Sequence, residues 1–178
     1  MKNENFRIYQ AVILAGGLGS RLGKITKKIP KPLIKVNGIP FIEYVIENFS
    51  RFGIKKILIL TSYKSKLFFK KYHNKTLYGL KVQCHDEKKA KGTGGALLDA
   101  KKKLDNFFYL CNGDTFFNIN ILNFNLSLKK NDFLSIGVSK KKKNTRYSGL
   151  KLKKNKIEDF NSNNTHYVNS GYYLVNKK

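Results

Sequence analysis

Apolar residues in this chain fall in short, bounded runs that alternate between two periods. Residues 8–14 are a mostly apolar stretch entering a glycine-rich loop, as a buried parallel strand does. Residues 41–52 place apolar side chains at 41, 42, 45, 46, 49 and 52 and stop at Gly53, which predicts an amphipathic helix with a glycine C-cap. A buried strand follows over 56–61, a helix over 64–73, a strand over 80–84, a helix over 94–104 and a strand over 107–111 that ends at Asn112-Gly113-Asp114. Alternating strands and helices with short connections predict an α/β fold, a mostly parallel sheet with helices on both faces. Beyond Asp132 the pattern changes to strands at 133–139, 150–152, about 156–160 and 168–175, joined by polar loops.

At 178 residues, the chain has the length of one domain with a core of its own, and no linker or internal repeat divides it. No apolar run reaches the roughly 18 residues of a membrane span, and Met1 is followed by Lys2-Asn3-Glu4-Asn5 instead of a secretory stretch. These features predict a soluble cytoplasmic protein. Cys84 and Cys111 stand far apart with no second pair, which predicts two reduced, buried thiols and neither a disulfide framework nor a zinc cage. The net charge of +25 raises the question of nucleic-acid binding. Of 36 basic residues, however, only Arg7, Arg21, Arg51 and Arg146 are arginine, and the remaining 32 are lysines scattered through every segment. Specific readout favours the bidentate guanidinium, so the pattern fits a solvated lysine surface better than a base-reading one. Lys140-Lys141-Lys142-Lys143 reads as a basic loop.

The chemistry concentrates in the loop Leu14-Ala15-Gly16-Gly17-Leu18-Gly19-Ser20-Arg21-Leu22. It fails the Walker template, because Gly23-Lys24 is followed by Ile25 and the position five before Gly23 is Leu18. It fails the dinucleotide fingerprint once, with Leu22 where the third glycine belongs. What remains is a strand, three glycines whose backbone amides can approach phosphate oxygens, a hydroxyl, the fork of Arg21, and Lys31 held within Pro30-Lys31-Pro32.

Leu14 to Leu22 together with Pro30-Lys31-Pro32-Leu33-Ile34-Lys35-Val36 resembles the signature of the sugar-1-phosphate nucleotidyltransferases. Gly92-Thr93-Gly94-Gly95-Ala96 resembles that family's second glycine motif, near base and ribose, and Asn112-Gly113-Asp114-Thr115 its magnesium motif. Within the family, the forms of these two motifs are most similar to the heptose 1-phosphate guanylyltransferases. The resemblance implies a Rossmann-like three-layer sandwich of the nucleotide-diphospho-sugar transferase type. It also implies a reaction, attack of a sugar 1-phosphate on the α-phosphorus of an NTP with release of pyrophosphate, with GTP and a heptose 1-phosphate as the substrates the resemblance points to. By the same resemblance Arg21 and Lys31 are catalytic, and Leu14, Ala15, Gly16, Gly17, Gly19, Ser20, Gly94 and Gly95 hold the nucleotide. Asp114 binds Mg²⁺, and Asn169 and Gly171, in Val168-Asn169-Ser170-Gly171, line the sugar phosphate.

Three departures stand out. Ser162-Asn163 occupy the place of a Glu-Lys pair that touches the sugar and its phosphate, Ala90-Lys91 replace Pro-Leu before the second glycine motif, and the chain stops at Lys178, before a C-terminal stretch that carries a second magnesium-binding aspartate in the family. Residues 1–178 are therefore expected to be a single nucleotidyltransferase domain lacking the family's C-terminal part. A nucleotide-binding relative without turnover remains the alternative to an active enzyme, and the oligomeric state is left open.

Overall fold

The computed structural model describes residues 7–88, 92–128, 132–140, 149–154, 156–162 and 165–178. Its first strand, β1 (Gln10–Leu14), leads through a 3-10 turn at Ser20–Leu22 into the one-turn helix α1 (Lys24–Lys28). A second 3-10 turn, Lys31–Leu33, precedes the small hairpin β2 (Lys35–Val36) and β3 (Ile39–Pro40). Then come α2 (Phe41–Ser50), β4 (Lys56–Thr61), α3 (Ser65–Tyr72), β5 (Lys75–Leu77) and β6 (Leu80–Asp86). The helix α4 (Gly92–Asp99), a 3-10 turn at Lys101–Lys103, β7 (Phe107–Asn112) and the short α5 (Asn123–Ser127) follow. The chain closes with β8 (Leu134–Lys140), β9 (Gly149–Lys153), β10 (Lys156–Ser162) and β11 (Tyr167–Asn176).

The main sheet runs β10-β9-β11-β7-β1-β4-β6-β5, with β8 also paired to β11. Its centre is parallel: β1 lies between β4 and β7, and β4 pairs β6. The flanks are antiparallel, through β5 on one side and β11 on the other. Alternate side chains of β1 enter opposite layers, as strand geometry requires. Ala11 and Ile13 pack among Ile42, Val45, Ile46 and Phe49 of α2 and Phe68 and Tyr72 of α3. Val12 packs on the other face with Leu58, Leu60, Ala96, Ala100 and Leu110. The result is the expected α/β three-layer sandwich with a mixed sheet.

Four apolar residues of α2, Ile42, Val45, Ile46 and Phe49, are fully buried, and Phe41 is partly so. Each such side chain contributes about 1.5–3 kcal/mol on leaving water, which outweighs the weak intrinsic stability of a ten-residue helix. The expected helix over 94–104 instead starts at Gly92, ends at Asp99 and gives way to the 3-10 turn. Both cysteines are free and buried. No helix among the described residues is long and apolar enough to cross a membrane.

Candidate active site

The carboxyl ends of β1, β6 and β7 converge on a cavity of about 380 Å³, the place where open α/β sheets bind ligands. Leu14, Ala15, Gly16, Gly17 and Gly19 form one wall, Lys31 and Pro32 a second, Asn112 and Asp114 a third, and Gly92, Thr93 and Ala96 a fourth. Two backbone bonds fix the glycine loop to the sheet: Ala15 N donates to Leu60 O at 2.8 Å, and Gly113 N donates to Leu14 O at 2.8 Å. Gly113 also allows the closest approach in the site. A Cβ there would lie 3.0 Å from Leu14 O, 3.1 Å from Ile13 Cγ2 and 3.3 Å from Pro32 Cγ, so only glycine lets the β7 end, the β1 end and the Lys31 segment meet.

Gly19 has φ 62° and ψ 27°, a left-handed conformation that turns the loop into Ser20–Leu22. Beneath it Thr26, 3% exposed, shares its hydroxyl proton between Gly19 O at 3.1 Å and Gly23 O at 3.2 Å. Lys31 Nζ donates to Asp114 Oδ2 at 2.6 Å. Both side chains remain about one-third exposed, at 35% and 36%, so both can also face a ligand in the cleft. The sequence-predicted cation and metal ligand are thus brought together from positions 31 and 114.

Glu87, which the sequence reading did not single out, is only 6% exposed and lines the same cavity. Its backbone N–H donates to Thr61 O at 2.9 Å, and its Oε1 lies 3.0 Å from where a Gly16 Cβ would stand. A carboxylate at the carboxyl end of a core strand in so lysine-rich a chain was the available signal. Nearby, His85 Nε2 and Asp99 Oδ2 are 2.8 Å apart and tie β6 to the last turn of α4, fixing the helix whose first turn forms the fourth wall.

Other expected residues lie elsewhere. Gly94 and Gly95 are in the first turns of α4 but do not line the cavity. Ser20 is exposed in its 3-10 turn. The backbone of Arg21 is in that same turn, while its side chain lies outside the described residues, as do Ala90, Lys91, Asn163 and residues 141–143 of the lysine loop. Ser162 closes β10. Asn169 and Gly171 lie outside the cavity lining, Gly171 close against Asn112 and Asn169 exposed. Asn169 Oδ1 accepts from Gly171 N at 2.8 Å, its Nδ2 donates to Tyr173 Oη at 2.8 Å, and a Gly171 Cβ would stand 2.7 Å from Asn112 Nδ2. The β11–β8 register shifts between Asn169 and Tyr173, leaving this segment outside the regular ladder.

Among the described residues, no group of three or more His, Cys, Asp or Glu gathers as a cage for a metal. Asp114 fits Mg²⁺ in another way, since that ion takes one or two carboxylates and completes its shell with phosphate oxygens and water. Asp114 presents such an oxygen to the cleft, beside the loop whose amides suit phosphates.

The family model described as nucleotidyl transferase matches residues 10–178. The chain is 41% identical over 121 residues to the D-glycero-alpha-D-manno-heptose 1-phosphate guanylyltransferase of Campylobacter jejuni, covering 68% of this chain and 54% of that protein. It therefore spans about half the length of that relative. The enzyme of the same name from Aneurinibacillus thermoaerophilus is 27% identical over 175 residues, covering 94% of this chain and 75% of that protein. The crystal structure of HddC from Yersinia pseudotuberculosis superposes with a TM-score of 0.83 at 30% identity, covering 96% of this chain and 77% of that one, and its complex with GMP-PN superposes at 0.82.

Proposed function

This chain belongs to the nucleotidyl transferase family, and on that premise we propose that it transfers a guanylyl group from GTP to a heptose 1-phosphate, giving GDP-heptose and pyrophosphate. The observation that carries the reading is the single cleft in which the glycine loop, Lys31, Asp114, the first turn of α4 and buried Glu87 face one another. Guanine is favoured by Glu87: a carboxylate only accepts hydrogen bonds, and the guanine edge offers two adjacent donors, N1–H and N2–H. The solved relative bound to GMP-PN supports the same base, and the heptose 1-phosphate follows from the names of the two guanylyltransferases.

In this mechanism an oxygen of the sugar phosphate attacks the α-phosphorus of GTP. The bond from that phosphorus to the bridging oxygen breaks, and pyrophosphate leaves with the electron pair. A phosphate monoester has a second pKa of about 6, so the nucleophile is already anionic near neutrality and no general base is required. Catalysis is then alignment and charge neutralisation. The glycine-loop amides hold the triphosphate. Lys31 stands between the α-phosphate and the incoming sugar phosphate, and Arg21 meets the departing pyrophosphate. Asp114 would hold Mg²⁺, which neutralises phosphate charge when bound. Asn169 and Gly171, outside the cleft lining, act on the sugar-phosphate end of the site through Asn112, against which Gly171 packs. We place the reaction in the cytoplasm, where GTP is available.

The test is pyrophosphate release from GTP, Mg²⁺ and D-glycero-α-D-manno-heptose 1-phosphate, with GDP-heptose identified by mass. No pyrophosphate with that or any other sugar 1-phosphate would overturn the proposal.

A further inference from the structure

The segment from Gly16 to Lys31 carries most of the phosphate-facing groups, yet it has little of its own to keep it in place. Its only α-helix, α1, is a single turn of five residues, of which Thr26 alone is buried. Three of the five are lysines, and no acidic residue stands in its first turn. A helix this short does not persist by itself. Within it the Ile29 N–H bonds Ile25 O at 3.2 Å, which leaves the carbonyls of residues 26, 27 and 28 pointing out of the last turn.

All three carbonyls are taken by one turn of the chain, between β4 and α3. Tyr63 Oη lies 3.0 Å from Thr26 O and 3.2 Å from Lys27 O, one hydroxyl proton serving both. Lys64 Nζ donates to Lys27 O at 2.7 Å and to Lys28 O at 2.9 Å. An ammonium is the favourable cap for a helix C-terminus, where the carbonyl ends are negative. To deliver it, Lys64 adopts φ 51°, a left-handed backbone that a residue with a Cβ holds only where its surroundings impose it. The turn is itself anchored, because Ser65 Oγ donates to Asp86 Oδ2 at 2.8 Å. It also lies close to the start of the glycine loop, since a Cβ built on Gly16 would stand 3.3 Å from Ser62 Cβ. Residues 62–65 therefore bracket the loop at both ends.

We propose that Tyr63 and Lys64 are positioning residues: they clamp the carbonyl end of α1 and so set where Lys31, three residues beyond Lys28, stands in the cleft. Neither side chain lines the cavity, so each acts through the arm and not on the nucleotide. The inference rests on the nucleotidyl-transfer reading for its consequence, and on the hydrogen bonds alone for its geometry.

The test compares the full chain with Tyr63→Phe, Lys64→Gly, Lys64→Arg and the Tyr63→Phe/Lys64→Gly pair. Glycine at 64 keeps the left-handed turn and even relieves it, so loss of the ammonium is separated from collapse of the turn. Hydrogen exchange reports on the amides of residues 24–29 and 31, and calorimetry on GTP affinity. In the pair, exchange at Ile29 accelerates while the core strands stay protected, and GTP binds about 10-fold more weakly, as when the competent arm falls to about a tenth of the population. Lys64→Arg, which keeps a cationic donor, retains both protection and affinity. Unchanged exchange in the arm, or GTP affinity within about twofold of the original, overturns the clamp. An unsubstituted chain that binds no GTP overturns the proposed function instead, and the exchange data then decide the clamp's geometry alone.

Discussion

Gly19→Ala offers the sharpest trial of how the glycine loop is built. The substitution places a Cβ at φ 62°, 3.0 Å from Thr26 Cγ2 and 3.1 Å from Lys31 Cβ. Thr26 cannot retreat without giving up its bonds to Gly19 O and Gly23 O. The left-handed backbone costs about 1–2 kcal/mol and the squeeze about 1–3 kcal/mol, offset by about 0.4–1 kcal/mol because alanine stiffens the unfolded chain. A net loss of about 1–5 kcal/mol is expected. It appears either as a lower urea midpoint followed by circular dichroism or, if the arm shifts to make room, as weaker GTP binding. Thr26→Ser removes the clashing methyl and keeps the hydroxyl. Alone it costs about 0.8 kcal/mol of lost burial; combined with Gly19→Ala it returns part of the steric loss, so the two couple by about 1–2 kcal/mol. Strict additivity of the two, or a Gly19→Ala chain with unaltered midpoint and unaltered GTP affinity, would refute this account of the loop.

Lys31→Met keeps most of the side chain's length without its charge. It should lower kcat/KM for pyrophosphate release about 10²–10³-fold, while the unfolding midpoint hardly moves, because a partly exposed ion pair contributes about 0–1 kcal/mol; retained turnover would remove Lys31 from the reaction. Glu87→Gln should narrow the preference for GTP over inosine triphosphate, which lacks the N2 amino group, since a hydrogen bond to a charged partner is worth about 1.5–3 kcal/mol; an unchanged preference would show that Glu87 does not read the base. Burial pushes the Cys84 thiol up to about 12 and raises that of Cys111 as well, so iodoacetamide at pH 8 should leave the folded chain unmodified and label both thiols in guanidinium. Because unfolded thiols ionise near 8.5, the stability linked to Cys84 is intact below that pH and declines as pH rises toward 12; a folded chain that alkylates readily would contradict the burial.

The core strands were readable because a strand buried on both faces leaves a compact apolar run: the run at 56–61 coincides with β4. The glycine, Lys31 and Asp114 motifs were readable because phosphate chemistry restricts residue type and spacing together. Elements held by few buried side chains left no period to read. The one-turn α1 buries a single residue, and the β2–β3 hairpin turns through Asn37-Gly38, both at positive φ, with only Pro40 of its strands buried. Starting α4 at Gly92 instead of Gly94 moved two glycines off the cavity wall. At about 100° per residue, positions 92, 93 and 96 share a face and 94 and 95 turn away from it. Glu87 offered only a weak signal for a different reason: whether a carboxylate is solvated or walled in depends on what the sheet brings beside it, here Gly16, 71 residues earlier.

The hydrogen bond from Gly113 N to Leu14 O also bears on how this site could be re-engineered. The glycine loop and the Asp114 turn are separated by about a hundred residues of sequence but share one peptide-to-peptide bond, and Pro32 stands so near Gly113 that a Cβ there would lie 3.3 Å from its Cγ. They are therefore not interchangeable modules. A chimera that imports the Asp114 segment from a relative must bring a β7 end that meets β1 at the same height, and a loop exchange must carry Pro32 with it. Grafts that move the two together, with the paired ends of β1 and β7, are the ones that should preserve the spacing of Lys31 and Asp114.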